Sequence, residues 1–137
     1  MDQNTQKDCP CCSGLSYEQC CQRYHRGSIA ENALILMRSR FAAYAVQDAD
    51  YIIKTTHPKN PGFKKDLAGW KKEILRFTKR TDFLGLTIAD FADGDTRAAV
   101  TFHAELRQTD KDASFTEKSY FEKVNEKWLY RDGVVIC

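Results

Sequence analysis

Five of the six cysteines in this chain lie between Cys9 and Cys21, and no other stretch limits so tightly what it can fold into. They come as an early C-x-C, Cys9 and Cys11 with Cys12 beside it, and a later adjacent pair, Cys20-Cys21. Soft thiolates at this density suit Zn(II), which takes four ligands tetrahedrally and asks for no other geometry. The expected ligands of one zinc ion are Cys9, Cys11, Cys20 and Cys21, with Cys12 outside the set. Ser13-Gly14 can turn the chain between the pairs, because glycine tolerates the backbone angles of a tight metal loop. Tyr17 offers so small a knuckle one large apolar surface to pack beneath the metal. Two rivals are weaker. Disulfides would suit an exported chain, but no apolar leader follows Met1, so the expectation is a reducing cytoplasm. Redox thiols would suit the C-x-x-C spacing of Cys9 and Cys12, but no strand precedes them and no βαβ pattern surrounds them.

The run CPCCSGLSYEQCC resembles the SEC-C motif, the small zinc-binding element named for the C-terminus of the SecA translocation ATPase. That motif reads C-x-C-x-S-G-x-x-Y-x-x-C-C/H, and every fixed position is met. Further on, LMRSRFAAYAVQDADYIIKTTHP, ending at Pro58, is similar to the signature of the YchJ-like bacterial family, and KWLYRDG, ending at Gly133, resembles that family's final strand. The resemblance implies an N-terminal SEC-C motif followed by a nuclear-transport-factor-2-like (NTF2-like) domain. Two departures stand out. Cys12 occupies a position where the motif usually has glycine, and the second SEC-C motif that many relatives carry at the C-terminus does not precede Cys137. The resemblance implies a fold and a metal; it implies no reaction.

With 137 residues, eight Phe, six Tyr and two Trp, one domain plus a small appendage is expected: a zinc knuckle over 1–27 and a domain over 28–137. No apolar run approaches a membrane span. The formal net charge of +2 falls to zero once four thiolates and one divalent ion are counted. That excludes coating nucleic acid by bulk charge, so any basic role must come from a local patch.

Residues 1–8 are polar and read as frayed, and Gln22 to Ser28 reads as a linker in which His25 is a surface histidine. A helix is expected from Glu31 to about Gln47, with Leu34, Met37, Phe41 and Tyr44 as its stripe and Arg38 and Arg40 on opposite flanks. Asp48 suits the N-cap of a second helix carrying Tyr51, Ile52 and Ile53, which His57-Pro58 ends. Asp66 caps a third, to about Thr78, with Leu67, Trp70, Ile74 and Phe77 on its apolar face. Residues 64–80 hold seven basic and two acidic side chains, including Lys64, Lys65, Lys72, Arg76 and Lys79. A solvated face is the ordinary reading of such a run; a contact face for RNA or an acidic protein is the sharper one.

From Phe83 the period changes to two. Leu84, Leu86 and Ile88 alternate, Asp93-Gly94 turns the chain, and Ala98, Val100, Phe102, Ala104 and Leu106 alternate again. Ser114 to Val124 forms a third strand, with a bulge expected at Tyr120-Phe121. Trp128 to Arg131 forms a fourth, which Asp132-Gly133 should end or kink. The pattern is α+β. The architecture, about three helices against a curved sheet of about four antiparallel strands in a cone, is what the resemblance implies.

No phosphate-binding glycine loop, G-x-S-x-G or H-E-x-x-H is present, so chemistry is expected only inside the cone. Arg38, Arg40, Tyr51, His57, Trp128 and Asp132, with His103 and Tyr130, are the candidates to line a pocket there for a small anionic ligand. Each has a plain structural role as its alternative, and Asp132 is the expected internal partner of Arg38. The preferred function is a non-enzymatic adaptor whose knuckle docks to a protein or ribosomal partner; the alternative is an enzyme or small-ligand binder using the cone pocket. No membrane association is expected, and oligomeric state is left open, a dimer included.

Overall fold

The computed structural model describes residues 7–136. Most of the expected frayed start lies outside these residues, as does Cys137. Lys7 and Asp8 are held rather than loose: the Tyr17 amide donates to the Lys7 carbonyl at 2.9 Å, and Asp8 bridges Ser16.

Among the described residues the order is a 3-10 turn (Tyr17–Gln19), α1 (Gln22–His25), α2 (Ala33–Ala45), α3 (Ala49–Lys54) and α4 (Leu67–Lys79). Then come β1 (Asp82–Ala92), β2 (Arg97–Gln108), β3 (Lys111–Asp112), β4 (Phe115–Val124) and β5 (Lys127–Ile136). The strands make one antiparallel sheet in the order β1-β2-β4-β5, with the two-residue β3 paired to β2. The expected linker is therefore partly helical, since α1 occupies its first four residues.

Side-chain caps start the three longer helices. Asn32 accepts from the Ile35 amide at 2.8 Å, Asp48 from Tyr51 at 3.1 Å and Asp66 from Gly69 at 3.1 Å. Leu67, expected on the apolar face of α4, is 52% exposed, because that face begins at Trp70. Helix α2 has no single stripe. Leu36, Met37, Ser39, Arg40, Phe41, Ala42 and Ala43 are all buried, whereas Leu34 and Tyr44 are half-buried. The sheet, α3, α4 and α1 all touch α2, so nearly its whole circumference is covered.

β2 alternates as expected, with Ala98, Val100, Phe102, Ala104 and Leu106 buried on the concave face. Leu84 does not follow. β1 changes register against β2 between Phe83 and Gly85, and the extra residue leaves Leu84 53% exposed. The bulge expected in β4 at Tyr120-Phe121 falls on its partner instead: the register shifts there because Arg131 of β5 is the extra residue, while β4 keeps its alternation through Phe121. β5 does not end at Asp132-Gly133: Gly133 pairs with Ser119 and the strand runs on to Ile136, with its irregularity at Arg131 directly before Asp132. Glycine is needed there for packing, since a Cβ would collide with the Glu117 carboxylate and the Tyr130 hydroxyl. The chain after α3 covers part of the β5 edge. Tyr130 N donates to Thr55 O at 2.8 Å, and His57 N donates to Tyr130 O at 2.9 Å.

Candidate metal centre and cone cavity

The knuckle is a tight double turn. Cys12 N donates to Cys9 O at 3.1 Å and Cys9 N to Leu15 O at 2.9 Å, closing the first loop. Cys12 has φ +65° and Gly14 φ +91°, both in the left-handed region. This explains why the motif prefers glycine at the Cys12 position. Ser16 caps the 3-10 turn, which delivers Cys20 and Cys21 back beneath Cys9 and Cys11. The four sulfurs lie within 4.8 Å of one another and form a set that could hold a metal ion. Cys12 is exposed, and among the described residues its sulfur reaches only the Pro10 carbonyl, at 3.6 Å.

Crowding splits the thiols apart electrostatically. Hydrogen bonds from Cys21 and Cys9 hold Cys11 far below the ordinary thiol range. The Cys11 contact pushes Cys9 up to about 11, and it raises Cys21 as well. One thiolate is easily formed, and its neighbours then resist ionising. A cation bound there would supply the positive charge that lets all four sulfurs be thiolates together.

Helix α2 holds this knuckle in place. Arg38 Nη1 donates to the Cys11 carbonyl at 2.7 Å, and Ala42 packs among the cysteines. His25 Nε2 lies 2.8 Å from the Ser39 carbonyl, which can only accept, so Nε2 carries the proton. Nδ1 then accepts from the Tyr17 hydroxyl at 2.6 Å. The His25 ring also packs 4.8 Å from Tyr51, whose hydroxyl donates to Ser39 Oγ at 2.7 Å. His25 is thus a strut between knuckle and helix and not a surface histidine. Arg38→Ala should leave the cone folded and weaken metal binding by roughly tenfold or more, as loss of supporting hydrogen bonds around metal ligands does. Competition with a chromophoric chelator measures this; unchanged affinity would mean that Arg38 does not support the site.

Between α2 and the concave sheet lies a cavity of about 190 Å³. Phe41, Phe83, Phe102, Phe115 and Phe121 form much of its wall, and Arg40, Glu117, Ser119 and Tyr130 bring polar groups to it. Tyr130 Oη donates to Glu117 Oε2 at 2.9 Å, and Ser119 Oγ donates to the same oxygen at 2.5 Å. Burial, and then the Glu117 charge, pushes the Tyr130 phenol well above its ordinary value, so it stays protonated as a donor.

Residues 32–133 match the family model described as the YchJ middle NTF2-like domain. The chain belongs to the YchJ-like family. It is 39% identical over 128 residues to a UPF0225 protein of Enterobacter sp. (strain 638), covering 91% of this chain and 81% of that relative. The solution structure of a SEC-C motif containing protein from Rhodopseudomonas palustris matches with a TM-score of 0.80 at 30% identity, over 96% of this chain and 100% of that one. The crystal structure of a SEC-C motif containing protein from Psychrobacter arcticus matches with a TM-score of 0.74 at 29% identity, over 94% and 82%. The fold is the NTF2-like one, with a cysteine cluster at its N-terminal side.

In this YchJ-like chain the eight expected pocket residues do not converge. Of them, Arg40 and Tyr130 line the cone cavity. Tyr51 and Trp128 line a separate groove with Lys54 and Lys127, and among the described residues Trp128 Nε1 has no hydrogen-bond partner. Arg38 turns to the knuckle, so Asp132 is not its partner. Asp132 is exposed and accepts from its neighbour's amide, Gly133 N, at 2.8 Å. His57 is buried, accepts from Lys59 N at Nδ1 and pairs through Nε2 with Glu122 at 2.7 Å. His103 is half-buried beside Thr116. Glu117 and Ser119 escaped the sequence reading. Their signal is the inward row Phe115, Glu117, Ser119, Phe121, where two polar residues interrupt a core face.

On the basic stretch, Lys64 pairs with Glu73 at 2.6 Å and Lys71 with Asp50 at 3.3 Å. Lys65, Lys72, Arg76, Lys79 and Arg80 are exposed and make no ion pair among the described residues. No helix there is long and apolar enough to cross a membrane.

Proposed function

We propose that this YchJ-like protein is a non-enzymatic cytoplasmic adaptor that carries one structural Zn(2+) on Cys9, Cys11, Cys20 and Cys21 and docks to ribosomal RNA. The closed four-cysteine set carries the reading. Four protein thiolates fill a tetrahedral ion, so no coordination position remains for a substrate, and the metal serves to shape a surface. The spacing suits zinc: bonds of about 2.3 Å give tetrahedron edges of about 3.8 Å, and Cys11 to Cys20 and Cys20 to Cys21 stand at 3.6 and 3.9 Å. The knuckle presents Ser13, Gly14, Leu15, Glu18 and Gln19 outward. The unpaired cations of α4 and its flanks supply a local basic patch on a chain that is near neutral overall.

Contacts of this kind weaken steeply with salt, because phosphate neutralisation releases condensed counterions. Ribosome co-sedimentation at low ionic strength should therefore be lost as salt rises. It should weaken when Lys72, Arg76 and Lys79 are all changed to Glu, and when the metal is chelated. Failure to sediment with ribosomes at low salt would overturn the ribosomal reading. Sedimentation that survives both the charge reversal and chelation would assign the contact to another surface.

A further inference from the structure

The cone cavity is independent of the zinc and ribosome readings, and it has a chemistry of its own. We propose that it binds a neutral single-ring molecule bearing a hydroxyl or N–H donor, held through that donor by Glu117.

Size comes first. The cavity measures about 190 Å³, and an apolar cavity of roughly 150 Å³ admits benzene. One ring with a small substituent fits, and a nucleotide does not. The wall comes second. Phenylalanine rings surround the space, and rings pack well on other rings through offset and edge-to-face contacts.

The polar end decides the class. Both hydroxyl donors, Tyr130 and Ser119, go to the same Glu117 oxygen, Oε2. They fix the carboxylate in place, and among the described residues Oε1 has no hydrogen-bond partner. Glu117 is half-buried at the cavity wall, and a carboxylate oxygen there with no protein partner recognises a donor. Arg40 lines the same space, and its three hydrogen bonds all leave from Nη1. One positive and one negative side chain at a single cavity cancel. A net charge on the ring would be drawn to one of these groups and repelled by the other, with no net gain to offset its desolvation, so a neutral ligand is favoured. Gly133 fits the same account. A side chain there would separate Glu117 from Tyr130, and glycine leaves the pair intact.

Phenol is the probe, titrated into the metal-loaded full chain and followed by NMR. The expected result is saturable shifts at Phe102, Ser119, Phe121 and Tyr130. Phenol should bind at least roughly tenfold more tightly than toluene, which offers no donor, and more tightly than benzoate or benzylamine, which carry charge. Glu117→Gln preserves shape but removes the charge, and should bring phenol close to toluene. If that variant does not fold by circular dichroism, the ranking of the four probes on the unaltered protein decides the question alone. Any one of three results overturns the proposal: no saturable shift with phenol, toluene equal to phenol, or benzoate or benzylamine binding most tightly. Loss of ribosome binding would leave this result untouched, because neither test uses the other's residues.

Discussion

Cys11→Ser protein is expected to lose its metal and the ordered path from Cys9 to Cys21, while the sheet and α2 to α4 stay folded. Cys11 is fully buried and touches Cys20, and hydrogen bonds from Cys21 and Cys9 hold its thiol below the ordinary range. A serine hydroxyl is hard, protonated at neutral pH and a poor substitute in a tetrathiolate site. Structural zinc contributes on the order of 10 kcal/mol in small finger peptides, and apart from the Arg38, Ala42 and His25 contacts to α2 this knuckle has little core of its own. Its own buried cluster is Cys9, Cys11, Cys21 and Ala42, with Tyr17 and Cys20 packed at the side. The cone has a separate core, running from Ala33 and Leu36 through Val100 to Phe121 and Trp128, so it should survive. Cys12→Gly is the matched control. Cys12 sits at φ +65°, where glycine is at ease, and contributes no sulfur to the set. It should keep full metal and gain slightly in stability. Elemental analysis of both variants checks this. Metal retained by Cys11→Ser, or lost by Cys12→Gly, would show that the ligand register is shifted.

The knuckle was legible because its chemistry is local. Ligand spacing, the Ser13-Gly14 turn and the left-handed Cys12 all act within thirteen residues. The same holds for the caps Asp48 and Asp66, which bond amides three residues ahead. β2 was legible because it lies inside the sheet with one face on the core, so its alternation is complete. The misses share a different physics. A helical wheel places Arg38 and Arg40 on opposite flanks of α2, but it does not say what covers each flank. The knuckle covers one and the α3–β5 junction meets the other, and only the tertiary arrangement decides this. His25 looked exposed because its partners, Tyr17 and the Ser39 carbonyl, stand 8 and 14 residues away. Leu84 failed because a single bulge inverts every side chain before it; Gly85, a glycine inside a strand, is the signal that marks that bulge. Glu117 was visible as a letter and invisible as a site, since its role depends on Tyr130 arriving from the neighbouring strand.

Arg40→Ala should destabilise the metal-loaded protein by about 3 kcal/mol, through a contact that involves no carboxylate. Arg40 is 8% exposed, and among the described residues no acidic group stands within ion-pair distance of it. Its Nη1 instead donates to Ile52 O at 3.1 Å, Thr55 Oγ1 at 2.7 Å and Thr56 Oγ1 at 3.2 Å, and its guanidinium lies 4.7 Å from the centre of the Tyr130 ring. These partners stand where α3 ends and the chain crosses to β5, so the arginine fastens α2, α3 and the last strand at one point. Alanine would remove a charged donor from three oxygens and a flat face from Tyr130. The two threonine hydroxyls already donate to carbonyls of α3, so they would lose an acceptor role and not all pairing, which keeps the cost below that of a broken buried ion pair. Arg40→Lys should recover only part of the loss, because an ammonium has no planar face to stack and no fork to spread over the site. Urea unfolding measures both variants, and amide exchange should quicken at Tyr130, whose N–H bonds Thr55 O across the same junction. The loss should change little between low and high salt, since shielded hydrogen bonds and a ring contact are screened far less than a surface ion pair. A loss under about 1 kcal/mol, or one that vanishes in high salt, would show that Arg40 does not clamp the fold in this way.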